Sequence, residues 1–520
     1  MSSSIVLGID LGTTNSCAAV YRQKRNPNGS ITSHNIQVLY DFNSSIDLLV
    51  PSVVCFTSST KCVVGIPALA SMKKYPENTV FEVKRFIGSR FDDEHVQQMK
   101  KTYPFNIVEL IYPAGCTGIK VNDQTYRPEE ISAKVLSYIR TNAVSVRGWK
   151  TSPKLDHQRQ ATKSAAELAG FDEITLVSEP IAAVLSLKQE DPTTLGKRVL
   201  VFDFGGGTFD VSIVDINSDD VTVIGTDGST NLGGANINLA IVEDVMNYWA
   251  AKNNSMPNTK KKVALRFAVE EAKKLMATCE TADIDVDNFA SGEDLEFVLT
   301  KQRFDAICDL FVTKCLSIVE RLLQFLHLQS SDIDHVQLVG GSCRIASVEG
   351  KLKIMFPGKV KKTLNPDQCV AAGASVYFEH VIHDVTPHSL GTDIKSKSET
   401  KEVDTMAVII PRHSRIPCKL TQTFVTTADS QTTASIAVYQ GESTIVSQNT
   451  FLARFKISNL PPLPAEEAKV STTMSIDSNG ILHVDVEDLQ DKSNTASIKI
   501  EKLQSEFRFS HQLQSVSQRH

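Results

Sequence analysis

The sequence predicts an α/β protein of two lobes followed by an antiparallel β domain, and three observations carry that prediction. Apolar strand runs alternate with helical stretches through roughly residue 380. A pattern of strand, Asp, Gly/Thr turn and second strand occurs twice, at Gly8–Val20 and at Val201–Val214. From about Val385 the texture changes to short runs in which Thr, Ser, Val and Ile alternate with polar residues.

Taken in order, the first strand is Ser4–Asp10, turning through Gly12, Thr13 and Thr14 into a return strand at Cys17–Tyr21. Helical periodicity follows at Pro128–Thr141 and Gln158–Ala169. The second hairpin is predicted from Val199–Asp203 and Asp210–Asp215, joined by Gly205, Gly206, Gly207 and Thr208. Helices are expected over Asn236–Lys252, Val263–Cys279 and Lys301–Phe325, and a strand over His335–Val339. In the last third, Leu420–Thr427, Thr433–Gln440 and Ile481–Glu487 alternate as strands, with turn signals at Gln440-Gly441 and Asn479-Gly480. Beyond Lys502 the chain is Gln- and Ser-rich and reads as a frayed tail.

With 520 residues the chain is too long for one core. Apolar residues at 41% and charged residues at 22% are ordinary for a soluble protein. The net charge of −6 is spread along the chain, and the Lys260-Lys261-Lys262 run reads as a solvated loop, so no direct contact with nucleic acid is expected. The start, Met-Ser-Ser-Ser, is unlike a secretory leader, and no stretch approaches bilayer-spanning length, so no membrane contact is expected. Ten scattered cysteines without a C-x-x-C pair fit reduced thiols in a cytosolic protein.

The two hairpins point to phosphate. Glycine turns the backbone tightly and carries no Cβ to hold a phosphate away from amide N–H groups. The hydroxyls of Thr13, Thr14 and Thr208 add donors, while Asp10 and Asp203 end strands where Mg²⁺ and its waters need carboxylate oxygen. One such hairpin is an ordinary turn with an adjacent Asp; two with the same order of Asp, Gly and Thr favour phosphate. No G-x-x-x-x-G-K-[S/T] is present, which disfavours a P-loop enzyme. A third glycine turn, Val339-Gly-Gly-Ser-Cys-Arg344, is in that company expected to act as a nucleoside clamp.

These residues resemble the seventy-kilodalton heat-shock chaperone family, within the actin-like ATPase superfamily of duplicated ribonuclease-H-like subdomains. The resemblance rests on Gly8–Ala18, Asn78–Arg90, Gln158–Lys163, Ser178–Ala183, Val201–Ser212, Val339–Ile345, Asn365–Ala374 and Asp384–Gly391. It implies an actin-like nucleotide-binding domain over 1–379, a short linker over 380–386, a peptide-gripping β-sandwich over 387–502 and a polar tail over 503–520. It implies a slow ATPase with Mg²⁺ and K⁺. Catalytic roles fall to Lys84, Glu179, Asp203 and Thr208, and metal and potassium contacts to Asp10, Asp203 and Asp210. Phosphate contacts would come from Gly12, Thr13, Thr14, Asn15, Lys84 and Gly205 to Thr208. Gly234, Glu270, Lys273, Lys274, Gly340, Gly341, Ser342, Arg344 and Asp367 would hold the nucleoside. Without the resemblance, Lys84 is a surface lysine pairing with Glu82, and Glu270 to Lys274 a charged helix face with an i,i+4 pair. In the β domain, Met406, Thr427, Ala434 and Ile436 align with the peptide groove, although sandwich core explains Met406 and Ile436 equally well. Implied partners are unfolded polypeptide clients, a J-domain co-chaperone, a nucleotide exchange factor and the ribosome.

The chain also departs from that family. Lys274 stands where the family has an Arg stacked on adenine, and Gly233-Gly-Ala-Asn-Ile-Asn238 has lost the carboxylates of GGEDFD. Val144–Asp156 replaces a strand and proline turn that relay nucleotide state, leaving Arg159 without its partner. Tyr377–His383 lacks the leucine-rich linker and Lys395–Glu402 lengthens a loop, and the resemblance leads to the expectation of a member without the helical lid and acidic tail. The expectation is an ATP-dependent chaperone with fast peptide exchange; the alternative is a non-cycling ATP-binding co-chaperone or ribosome-associated scaffold. A small-molecule kinase of the same superfamily is disfavoured by Asp384–Gly391 (DVTPHSLG).

Overall fold

Two sheets repeat one plan. In the first, Ser4–Asp10 forms a hairpin with Asn15–Arg25, which pairs on to Ile31–Val38. The other edge of Ser4–Asp10 pairs in parallel with Trp149–Ser152, and that strand with Ile174–Leu176. In the second, Lys197–Phe204 forms a hairpin with Phe209–Ile216, which pairs on to Asp220–Ser229. Lys197–Phe204 in turn lies parallel to His335–Val339, which pairs with Val360–Lys361. Asp10, opposite Cys17, and Asp203, opposite Asp210, therefore occupy equivalent positions. The duplication legible in the sequence is a duplication of sheet topology. The computed structural model describes residues 4–25, 31–39, 41, 48–143, 149–152, 156–218, 220–253, 255–397, 402–477 and 480–500.

Each lobe has its own apolar core. The first gathers Leu7, Ile9, Val80, Phe86, Val96 and Phe105; the second gathers Phe202, Phe209, Ile241, Leu265, Val269 and Phe304. Two helices, Glu179–Glu190 and Cys369–Val376, pack together beside the central strands of both sheets, with Ile181, Val184, Leu185, Val370 and Ala374 buried among Tyr21, Val201 and Val214. Burying a Val, Leu or Ile side chain is worth about 1.5–3 kcal/mol. Two glycines permit this packing: a Cβ on Gly373 would stand 1.6 Å from the Ala182 carbonyl oxygen, and one on Gly8 2.1 Å from that of Ala371.

The last third is a β-sandwich. One sheet runs Glu402–Ile410, Leu390–Lys397, Thr433–Gln440, Thr450–Ser458; the other runs Cys418–Val425, Lys469–Ile476, Leu482–Asp488, Thr495–Ile500. Alternate residues such as Val470, Met474 and Ile476 turn inward onto Val438, Leu452 and Phe455, as the period of two requires. Strands Ser4–Asp10, His335–Val339 and Thr433–Gln440 and helix Lys301–Phe325 coincide with their sequence patterns. The helix expected at Val263–Cys279 spans Thr259–Leu275, starting earlier because the Asn258 side chain caps it by accepting from Lys261 N–H.

Residues Val381–Val385 are a strand. They lie parallel to Asp220–Ser229 on one side and antiparallel to Arg415–Ile416 of the β domain on the other. The second lobe's sheet thus continues through the connection to the sandwich, seven strands in all. The loss of a relay strand expected at 144–156 is corrected in part, since Trp149–Ser152 is a strand beside Ser4–Asp10. The side chain of Arg159 and the middle of the Lys395–Glu402 run lie outside the described residues. Among the described residues no helix is long and apolar enough to cross a membrane.

Candidate functional site

The two glycine hairpins meet tip to tip. A Cβ on Gly206 would stand 2.1 Å from Thr14 Oγ1, and one on Gly207 2.8 Å from Thr13 Oγ1. The lobes therefore touch through Gly/Thr contacts that larger residues would force apart. Gly205 differs. A Cβ there would meet only the Thr208 carbonyl oxygen at 3.6 Å and Asp203 Oδ1 at 4.0 Å, leaving room beside the backbone. Gly12 turns so tightly that a Cβ would fall 1.9 Å from the Asn15 carbonyl oxygen. The Ser52 hydroxyl donates to the Gly12 carbonyl at 2.8 Å, fixing the first turn from behind.

Lys84 reaches this meeting point from the short turn Val83–Arg85. Its Nζ donates to Glu179 Oε1 at 3.0 Å, with both side chains largely buried. Pairing with Glu82, the bland sequence reading, does not occur; Glu82 instead accepts from Tyr103 and pairs with Arg85. Burial alone would push the Lys84 ammonium down, but the carboxylates of Glu179, Asp10 and Asp203 outweigh it and hold it above its ordinary value. Burial together with Asp203 and Asp10 likewise pushes up the thiol of Cys369. Lys84, Glu179, Asp10 and Asp203 form one electrostatic cluster. Asp210 sits in the return strand opposite Asp203, close enough that a Cβ on Gly228 would stand 2.7 Å from its Oδ1.

The remaining nucleoside candidates gather behind the second hairpin. The amides of Gly234 and Ala235 donate to the Gly205 and Gly206 carbonyls at 3.0 and 2.7 Å, and the Ser342 hydroxyl donates to the Gly205 carbonyl at 2.8 Å. Gly340 turns at φ 84°, where a Cβ would stand 2.5 Å from the Phe204 carbonyl oxygen; only glycine suits that position. Arg344 is bonded to Asp367, and a Cβ on Gly341 would stand 3.0 Å from Asp367 Oδ1. Lys273 Nζ pairs with Glu270 at 2.7 Å, and a Cβ on Gly234 would lie 3.4 Å from that Nζ. Burial would raise the Glu270 pKa, but Lys273, Asn238 and Lys274 hold the carboxyl below its ordinary range. The pairs on this helix are i,i+3, and Lys274 is exposed and bound to Glu271. The sequence marks Asn236 and Asn238 only as missing carboxylates. Asn238 donates to Glu270, and Asn236 accepts from Arg85 Nη2 at 3.1 Å.

A magnesium ion fits this chemistry. Hard oxygen donors stand at Asp10 and Asp203, and the space beside Gly205 adjoins Asp203. Among the described residues no group of three His, Cys, Asp or Glu side chains converges as a metal cage. Phosphate oxygens and water would therefore supply the rest of the shell.

The four peptide-groove candidates do not share a surface. Met406 faces Asp393 and packs with Ala437, Tyr439 and Val446. Ile436, one residue before Ala437, points through the other face into the space between the sheets, where Ala434 also lies. Thr427 is exposed in a turn, its N–H donating to Gln431 Oε1 at 3.0 Å.

The family model described as Hsp70 protein matches residues 6–516. A ribosome-associated molecular chaperone of Zygosaccharomyces rouxii is 34% identical over 507 residues, covering 92% of this chain and 79% of that protein. Its counterpart of the same description in Saccharomyces cerevisiae is 34% identical over 522 residues, covering 95% and 81%. Heat shock cognate 70 kDa protein 3 of Dictyostelium discoideum is 33% identical over 525 residues, covering 96% and 79%.

Proposed function

The chain belongs to the Hsp70 family, and from that premise we propose that it is a chaperone that binds ATP between its lobes, hydrolyses it slowly and grips extended unfolded polypeptide with its β domain. One observation carries the catalytic half: the buried Lys84–Glu179 pair, set among Asp10 and Asp203 where two Gly/Thr hairpins meet. Phosphoryl transfer to water needs placement and charge compensation more than covalent help. Lys84 compensates phosphate charge and orients the nucleophile. Asp203 accepts a proton from water, and Thr13, Thr14 and Thr208 donate to phosphate oxygens. Asp10 and Asp203, with waters ordered by Glu179, would hold a magnesium ion, which would supply neutralisation of phosphate charge. Asp10 and Asp210 with phosphate oxygens are the proposed potassium contacts. Glu270 and Lys273 hold the ribose side, and Gly341, Ser342, Arg344 and Asp367 the base side.

We assign 1–379 to the nucleotide-binding unit, 380–386 to the connection and 387–502 to the peptide-binding unit. The groove is assigned to the open end of the space between the two sheets, where Ala434 and Ile436 lie with the exposed Ile394. Met406, on the opposite face, does not line it. Strand addition would supply the main-chain bonds. A J-domain protein and an exchange factor are the proposed regulators and the cytoplasm the proposed compartment. The names of the yeast relatives support a ribosome-bound role as a second reading.

The test is single-turnover hydrolysis of ATP by the full chain beside Asp203→Asn. The proposal expects turnover well above that control. Tight ATP binding with turnover equal to the control overturns the catalytic half and leaves the scaffold reading.

A further inference from the structure

The turn that carries Lys84 is held from the opposite lobe. It begins at Glu82, a non-glycine residue in the left-handed region at φ 53° and ψ 28°, a conformation that persists only when surroundings enforce it. What enforces it comes partly from the same lobe: the Tyr103 hydroxyl donates to Glu82 Oε2 at 2.6 Å, and Arg85 Nε lies 3.2 Å from the same oxygen. The rest comes across the cleft. Arg266 belongs to the helix Thr259–Leu275, whose Leu265 and Val269 are buried in the second lobe's core. Its guanidinium donates to the Thr102 carbonyl at 2.9 Å and stands 3.9 Å from Glu82 Oε1. It lies over the rings of Phe81 and Tyr103 at 5.3 and 4.9 Å. The residue after Lys84 makes a second contact, as Arg85 reaches Asn236 at 3.1 Å and Asn231 at 3.5 Å on the second lobe. Lys84 thus sits between two residues that the opposite lobe grips, and its own Nζ lies 3.0 Å from Glu179.

We propose that Arg266 is a positioning residue for Lys84: closure of the second lobe onto Glu82 sets the strained turn and with it the lysine, so that cleft closure and hydrolytic competence are one event. When the lobes part, Arg266 leaves Glu82, and the left-handed residue loses its partner from across the cleft. The turn then relaxes and Lys84 loses its fixed bearing on Glu179. A nucleotide bound in an open cleft would accordingly be held without being hydrolysed. The inference rests on the reading that Lys84 acts on bound ATP.

The experiment uses the full chain and four variants: Arg266→Met, Arg266→Lys, Lys84→Ala, and Lys84→Ala combined with Arg266→Met. Arg266→Met should slow single-turnover hydrolysis at saturating ATP by about tenfold to a hundredfold, the range expected from misplacing a catalytic group. Arg266→Lys should recover part of that loss. In the Lys84→Ala background the Arg266→Met change should have no further effect, because its only route to the chemistry is gone. Wild-type turnover by Arg266→Met, or full multiplication of the two losses, overturns the proposal. A wild-type rate in Lys84→Ala alone overturns the site assignment instead. Hydrogen exchange keeps the proposal testable should turnover be undetectable. ATP should protect the amides of residues 82–86 in the wild type and not in Arg266→Met, and equal protection in both sinks it.

Discussion

Lys273 and Lys274 are adjacent on one helix, yet their surroundings differ sharply. Lys273 is largely buried on Glu270 beside Gly234, whereas Lys274 points outward with 59% of its side chain exposed, paired with Glu271 at 2.8 Å. An exposed pair of that kind is worth at most about 1 kcal/mol, so it is easily exchanged. An arginine at 274 would bring a planar guanidinium able to stack on adenine, an interaction worth about 0.5–2 kcal/mol. Lys274→Arg is therefore expected to raise ATP affinity about twofold to thirtyfold in calorimetric titration. Single-turnover hydrolysis at saturating ATP should stay unchanged; unaltered affinity would show that adenine does not lie over this residue. Residues of this kind were legible as a group but not one by one. The motifs named Glu270, Lys273 and Lys274 together, while the direction each faces depends on helix phase against neighbours far away in the chain. Lys84 shows the same gap, since Glu179, its partner across 95 residues, could be assigned only through the family pattern.

Helix Cys369–Val376 is short, apolar and buried nearly throughout, wedged against helix Glu179–Glu190 and strand Ser4–Asp10. Gly373 makes that approach possible: a Cβ there would meet the Ala182 carbonyl oxygen at 1.6 Å and the Ser186 amide nitrogen at 3.0 Å. These are backbone atoms, so relief requires moving a helix. Gly373→Ala is expected to destabilise by about 1–3 kcal/mol or more. Thermal unfolding of the nucleotide-free protein reads this directly, and an unshifted melting temperature would show that the helices can separate at little cost. Elements with strong periodicity, such as Lys301–Phe325 and His335–Val339, were readable from the sequence because one face or the whole segment had to be buried. Val381–Val385 was not. Its pairing partners lie about 160 residues upstream at Asp220–Ser229 and 30 to 32 residues downstream at Arg415–Ile416, and no local pattern encodes such contacts. The groove candidates show a related gap. Family alignment names both Met406 and Ile436 as peptide contacts without saying which face each takes, and the period of two in Thr433–Gln440 sets their contacts on opposite faces.

At the scale of the molecule, the sandwich is joined to the second lobe by a polar clasp beside that shared strand. Arg412 Nη2 donates to the Thr226 carbonyl at 2.6 Å and lies 3.2 Å from Asp227, which Arg321 also holds through two bonds of 2.7 and 2.9 Å. His413 Nε2 stands 2.9 Å from the Thr226 carbonyl oxygen, and the Phe325 ring packs against both Arg412 and His413. His388 lies 3.9 Å from Glu442 in the same interface. The clasp adjoins the proposed site, because Asp227 accepts from the Gly228 N–H at 2.8 Å and Gly228 abuts Asp210. Burial first, and the neighbouring Arg412 charge, push both histidines below the ordinary value, against the pull of Glu442 and Asp227 on each and the Thr226 carbonyl on His413. A group whose pKa is depressed in the docked state favours docking fully above its free value of about 6.5, and that contribution fades as pH falls through it. Asp227 does not oppose this, since Arg321 and Arg412 outweigh its burial and keep its carboxyl low, so it stays charged throughout that range. The sandwich is thus expected to separate from the lobe as pH drops from about 7.5 to 5.5. Small-angle scattering should show the radius of gyration rising over that window in the wild type, and much less in a His388→Leu, His413→Asn double variant. A wild-type radius constant down to about pH 5, or an equal rise in the double variant, would place the clasp's stability in Arg412, Asp227 and the shared strand alone.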